Sequence, residues 1–281
     1  MRGRENVALA VRRPDGILDV TSQPLANLYK GRLREIPLIR GMIILIETLV
    51  LGIKALLHSA QIASTEEEEE LSPALMWGSV AISVAFAVVL FFIFPLLITR
   101  YIIDPYITSS IVSNLVEGIL RIGIFIAYLK LISLMSDIKT VFAYHGAEHK
   151  VINAYEAGEP LEVESVKKYS TAHTRCGTSF LIAVLVISII VFALLGRPPI
   201  LLSILSRIVL IPVIAAIGYE FVRFSSAHAQ NFIVRGLLTP GLMLQSMTTR
   251  EPDDGQLETA ISSLKEVMEA DNWEQPVFNE A

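Results

Sequence analysis

ALMWGSVAISVAFAVVLFFIFPLLIT, residues 74–99, carries no charged side chain and is long enough to cross the hydrocarbon core of a bilayer as a helix. That run decides the fold class. A soluble helix needs one polar side for water, and this stretch offers none. Three further stretches share its character: residues 107–135, 179–195 and 200–222. The composition agrees, with 53% hydrophobic and only 18% charged residues and a mean hydropathy of +0.56. Soluble domains usually carry about a quarter charged residues. The reading is a mainly α membrane protein with about four transmembrane helices.

Outward from these spans the polar exceptions set the details. Residues 36–63 are apolar but interrupted by Arg40, Glu47, Lys54 and His58. Glu47 and Lys54 are seven apart and share a helix face, and two charges deep in lipid are costly. This predicts an interfacial or re-entrant helix; a fifth span is the alternative. Glu117 and Arg121, four apart in the second span, are expected to pair and bridge helices rather than carry transport. The run Glu66 to Glu70 reads as a solvated acidic loop. Residues 223–248 look interfacial. Residues 253–270 place Leu257, Ile261, Leu264 and Met268 at helical spacing, as a soluble amphipathic helix does. Near the start, Val7, Leu9 and Val11 alternate before Arg13-Pro14-Asp15-Gly16, which predicts a small β-hairpin. The expected organisation is an N-terminal segment with the hairpin (1–35), a membrane domain (36–248) with a polar insert at 136–178, and an amphipathic helix and tail (249–281).

Most of the 23 lysines and arginines fall in the N-terminal block, the insert and the C-terminal tail. With four spans these share one side, and the positive-inside bias makes it cytoplasmic. The net charge of −5 comes with no basic face able to track phosphates, so nucleic acid is excluded as a partner. Lipid is the expected partner; self-association and protein partners stay open. No cleavable secretory signal is expected at the N-terminus. The single cysteine, Cys176, can form no internal disulfide and fits a reducing compartment or a metal site.

Four of the five histidines and that cysteine lie between His145 and His228. Residues 137–157 read as a helix stopped at Gly158, and it contains H-x-x-E-H: His145, Glu148 and His149. The two histidines are one turn apart and present both imidazoles on one face, a spacing that suits zinc. Glu148 beside them is a candidate general base or an orienting group. Asn153 and Glu156 extend the stripe, and Gly146 marks a close approach of backbone or ligand. Just before the third span, His173 and Cys176 give H-x-x-C, adding the nitrogen and sulfur donors that zinc prefers. Cys176 as a nucleophile with His173 as base is the alternative. Glu220 is a further candidate ligand, with pairing to an arginine as its other reading.

On these residues the chain resembles the YqhQ-like family, bacterial membrane proteins built on a domain of unknown function and described as predicted metal-dependent enzymes. The resemblance rests on VALAVRRPDG (7–16), HGAEHK (145–150), HTRCGTSFL (173–181) and PGLMLQSMTTREP (240–252). It implies an inner-membrane protein with a cytoplasmic site that includes His145, Glu148, His149, His173 and Cys176.

Two functions follow. One is a zinc-dependent, hydrolytic enzyme at the cytoplasmic membrane surface, with Glu148 activating water. The other is a non-catalytic assembly or scaffold protein with a closed structural zinc clamp of His145, His149, His173 and Cys176. A transporter using Glu47, Lys54, Glu117 and Arg121 is a weaker third, because no pair of broken helices is evident.

Overall fold

The computed structural model describes residues 1–26, 36–63, 73–173, 176–228 and 231–272. Lys30, Arg32, Arg34, the acidic run 66–70 and the tail after Asn272 lie outside the described residues. The chain opens with an antiparallel hairpin, β1 (Asn6–Arg12) and β2 (Leu18–Pro24), in which Arg12 pairs Leu18. The expected turn closes it. Gly16 adopts φ 85°, its N–H reaches the Arg13 carbonyl at 2.9 Å, and Asp15 accepts from the N–H of Ile17.

Ten helices follow. They begin with α1 (Ile39–Ala63), α2 (Pro73–Val88) and α3 (Phe94–Ile98). A π-turn at Val89–Ile93 links α2 to α3, and further turns carry the same run to Tyr106. Then come α4 (Ser110–Ile132), α5 (Ser136–Glu156), the short α6 (Val163–Val166), α7 (Gly177–Leu195), α8 (Ile200–Ala227), α9 (Phe232–Thr248) and α10 (Asp254–Ala270).

Among the described residues four helical stretches are long and apolar enough to cross a membrane: Ile39–Ile62, Trp77–Tyr106, Gly177–Leu195 and Ile200–Ser225. The pair α4 and α5, bent by 102°, qualifies only as a broken fifth. The segment read as interfacial thus meets the length and apolarity required, and the run from residue 77 continues past Arg100 instead of stopping there. Packing separates these helices further. Gly41 near the start of α1 rests on Ala216 and Tyr219 of α8. Farther along, Glu47 is buried against Arg2 at 2.7 Å, and Leu51, Lys54 and His58 face the hairpin. α1 thus packs along α8 and, over its second half, also meets the hairpin. At the opposite end Arg197 of the α7–α8 turn donates to the carbonyls of Ile107 and Ser109.

The polar pieces form one lobe. Ala147, Val151 and Ala154 on α5, Leu257, Ile261, Leu264 and Val267 on α10, and Ala8 of β1 are all buried together. A buried Leu, Ile or Val contributes about 1.5–3 kcal/mol, and the alanines let α5 and α10 approach closely. Asp253 and Gln256 form a reciprocal capping box that starts α10. Gly158 at φ 77°, with bonds to the Tyr155 and Ala154 carbonyls from its own and the next N–H, ends α5 where expected.

Glu117 and Arg121 pair as their spacing predicts, and Arg207 of α8 joins them at 2.8 Å, so the pair does bridge helices. The Phe91 carbonyl, inside the first π-turn, accepts from Arg121 Nε at 2.9 Å. Such turns commonly mark where a side chain enters the backbone ladder.

Candidate metal centre

The apolar side of α5 faces α10, so His145, Glu148 and His149 emerge on its other side, along the wall of a cavity of about 770 Å³. Cys176 caps the N-terminus of α7, with its sulfur accepting from the N–H of Thr178. This brings the two elements together. One donor atom each from His145, His149 and Cys176 lies within 4.8 Å of the other two. His145 Nε2 is 3.2 Å from the sulfur.

The second layer sets the tautomers. His145 Nδ1 meets the Thr248 carbonyl at 2.9 Å and His149 Nδ1 meets that of Thr171 at 2.6 Å. A carbonyl can only accept, so each Nδ1 carries the proton and each Nε2 offers a lone pair. Metal-bound histidines are held this way. Zinc bonds of about 2.0–2.3 Å place donors roughly 3–4 Å apart; the 3.2 Å between His145 and Cys176 falls in that range and the other pairs lie within 4.8 Å. The set fits a zinc-type ion.

Without metal, the thiol proton passes to an imidazole Nε2 and the cluster is a thiolate–imidazolium set. Burial pushes the Cys176 thiol up, but hydrogen bonds from His145, His149 and Thr178 outweigh it and hold the pKa down at about 5. Burial likewise lowers His145, and its bond to Cys176 outweighs that and raises it. Alkylation of Cys176 in metal-free protein should therefore stay fast from pH 8 down to about 6 and fall only as pH drops through about 5. An ordinary thiol slows already below about 8.5. His145→Ala should move that fall to higher pH, with the bonds from His149 and Thr178 remaining. An unchanged profile would refute the pairing.

His173 sits beside the cluster, its ring 5.9 Å from that of His149, but its Nε2 points to Glu156 Oε2 at 3.4 Å. It is not among the converging donors. The backbone of His173 is held at both ends by Gln245 of α9, 2.7 Å to its N–H and 2.9 Å to its carbonyl. Asn153 secures the same loop through the carbonyls of Ser170 and Ala172. Glu148 is exposed and lines both the main cavity and a neighbouring, more apolar one bounded by Leu9, Val11 and Leu56. Glu220 is away from the cluster and binds Arg40, with 2.6 Å from its Oε1 to Nε. His228 contacts only its own helix end and Phe224. The sequence reading missed Gln245, fully buried, and the Thr171 and Thr248 carbonyls. Gln245 had a signal, as an amide in the otherwise apolar stretch 237–245.

Fold and cluster define a helical protein with several helices long and apolar enough to cross a membrane and an N/N/S donor set at the end of its bundle. The chain belongs to the family described as "Protein of unknown function (DUF1385)", which it matches over residues 36–270. It is 32% identical over 280 residues to the uncharacterized protein YqhQ of Bacillus subtilis (strain 168), a match covering 95% of this chain and 88% of that protein. No solved structure matches the chain.

Proposed function

We propose that this protein is a membrane-embedded, metal-dependent hydrolase with zinc held by His145, His149 and Cys176 at the cytoplasmic surface. The observation that supports this most is that three donors, not four among the described residues, converge on the wall of an open cavity. Three protein ligands with an open position are the pattern of catalytic zinc, whereas structural zinc is closed by four. A bound zinc ion supplies Lewis-acid polarisation of a carbonyl or phosphoryl oxygen and acidifies water. The chain's own groups do the rest. Thr171 and Thr248 fix the imidazoles, Glu148 takes the proton of attacking water, and His173, steadied by Glu156, donates one to the leaving group.

Packing supports the membrane placement. The hairpin, α5 and α10 share a lobe, so an even number of crossings must separate β2 from α5. The run from Trp77 to Tyr106 and α4 supply two, so α1 lies in the surface, and α7 and α8 supply the two that return the chain from α5 to α10. The exposed stripe of Ile39, Met42, Ile46 and Leu49 on α1 suits the lipid boundary.

The second reading is a closed structural clamp. It is favoured by the closeness of His173, whose ring would need to turn from Glu156 to become a fourth ligand. Purified protein should hold about one zinc per chain, and His145→Ala with His149→Ala should remove it. Failure of metal-free wild type to take up zinc refutes both readings. A hydroxamate added to the cobalt form should change the visible spectrum if a position is open; no change selects the clamp. Glu148→Gln should keep metal and that response yet fail to rescue a deletion strain. Full rescue with metal bound removes Glu148 from the base role.

A further inference from the structure

The end of the bundle opposite the metal centre carries more positive than negative charge. Arg121 and Arg207, 1% and 2% exposed, share one carboxylate, Glu117. Nearer the surface Arg100 and Arg197 share Asp104. Four guanidiniums thus face two carboxylates. A guanidinium does not lose its proton in a protein, so the excess is permanent. Phe192 lies 5.2 Å from the Arg121 guanidinium and 4.2 Å from that of Arg207 and offsets only part of it.

A second observation locates the missing charge. A cavity of about 10 Å³ lies between the end of the helical run at Tyr106, α4 and the α7–α8 turn. Among the residues that line it, Arg207 Nε, Arg197 Nε and Thr99 Oγ1 are buried with no hydrogen-bonding partner among the described residues. All three can donate. The acceptors on the same wall are engaged: Asp104 by Ser113 and Arg197, Glu117 by Arg121 and Arg207. Unpaired donors in a cluster of net positive charge call for an anion, because water would satisfy the N–H groups but bring no charge.

We infer that this cavity binds chloride. Size decides among anions. A cavity this small has room for about one water, which excludes a phosphate headgroup or a carboxylate ligand and leaves a monatomic anion, chloride being only a few tenths of an ångström larger than water in radius. The bound ion ties the Thr99 turn to the α7–α8 turn through Arg197 and Arg207, on the face opposite the metal centre and independently of what that centre does.

The test is thermal unfolding of the full-length protein in detergent, with chloride exchanged for gluconate at fixed ionic strength. The midpoint should rise steadily from about 10 to about 300 mM chloride, as for any ligand that binds only the folded state, and bromide should substitute. Thr99→Val keeps the shape, removes one donor, and should need several-fold more chloride for the same rise. Arg207→Gln should abolish the response; if that variant does not fold, Thr99→Val still decides. Equal midpoints in chloride and gluconate overturn the inference, as does an unaltered response in Thr99→Val. A high-resolution structure from bromide with water or a lipid phosphate in the cavity overturns it too.

Discussion

Glu117→Gln is expected to destabilise the protein by about 3–5 kcal/mol, because it strands two buried guanidiniums. Glu117 accepts from Arg121 on its own helix and from Arg207 of α8 at 2.8 Å, and all three side chains are at most 4% exposed. An amide keeps the shape and one acceptor oxygen but loses the negative charge. The desolvation already borne by both arginines is then uncompensated. At roughly 2–4 °C per kcal/mol for a chain this long, the midpoint in detergent should fall by about 10 °C. Adding Arg207→Leu should recover part of the loss, since it removes one of the stranded charges. A fall under about 1 kcal/mol for the single variant would mean that the arginines find other partners.

Gly146→Ala should be nearly as damaging, against what helix propensity alone says. Alanine in a helix interior gains about 1 kcal/mol over glycine. Here a Cβ would stand 2.0 Å from the carbonyl oxygen of Arg250, an overlap that nothing can absorb cheaply. The oxygen belongs to backbone, and the N–H of the same residue is bonded to the Phe142 carbonyl at 2.9 Å. Forcing the strands of chain apart also pulls Thr248 from His145. The expected cost is about 3 kcal/mol or more, with weaker zinc binding in a metal titration. Gly123→Ala, where nothing lies within 4 Å, is the control and should gain up to about 1 kcal/mol. Equal stability of the two variants would refute the close approach.

What the sequence carried legibly was local. The Arg13-Pro14-Asp15-Gly16 turn, the stop at Gly158 and the start of α10 are each set by a few adjacent residues, and the structure repeats them. Gly146 flagged a close approach because a helix-disfavouring residue inside a helix needs a reason; the partner, Arg250, lies 104 positions on and left no local trace. Spacing singled out His145, His149 and Cys176, and one donor atom of each lies close to the other two, since a one-turn helical pair and a cap residue have little freedom. His173 stays outside that group, because H-x-x-C spacing fixes no direction outside a helix. There the direction is set by Gln245 from another helix. Length and apolarity could not rank α1, because a helix flat on a surface and one across a bilayer meet the same criteria. Likewise Glu117–Arg121 was visible as an i, i+4 pair, while the third member, Arg207, arrives from a helix 90 residues away.

The hairpin–α10 contact has a consequence for biosynthesis. Ser263 of α10 donates to the Ala8 carbonyl across 255 residues of sequence, and β1 and α10 share one buried core. Chains emerge from the ribosome N-terminus first, and contacts this distant form late. The hairpin therefore waits, without its hydrophobic partner, while every apolar helix is threaded and delivered to the bilayer. Only when the final seventeen-residue helix emerges can the lobe close around α5. A translation product stopped before Asp254 would carry all the apolar helices and all three donor residues, yet lack the surface that seats α5. Quality control would meet it as a finished membrane anchor with an open, sticky cap.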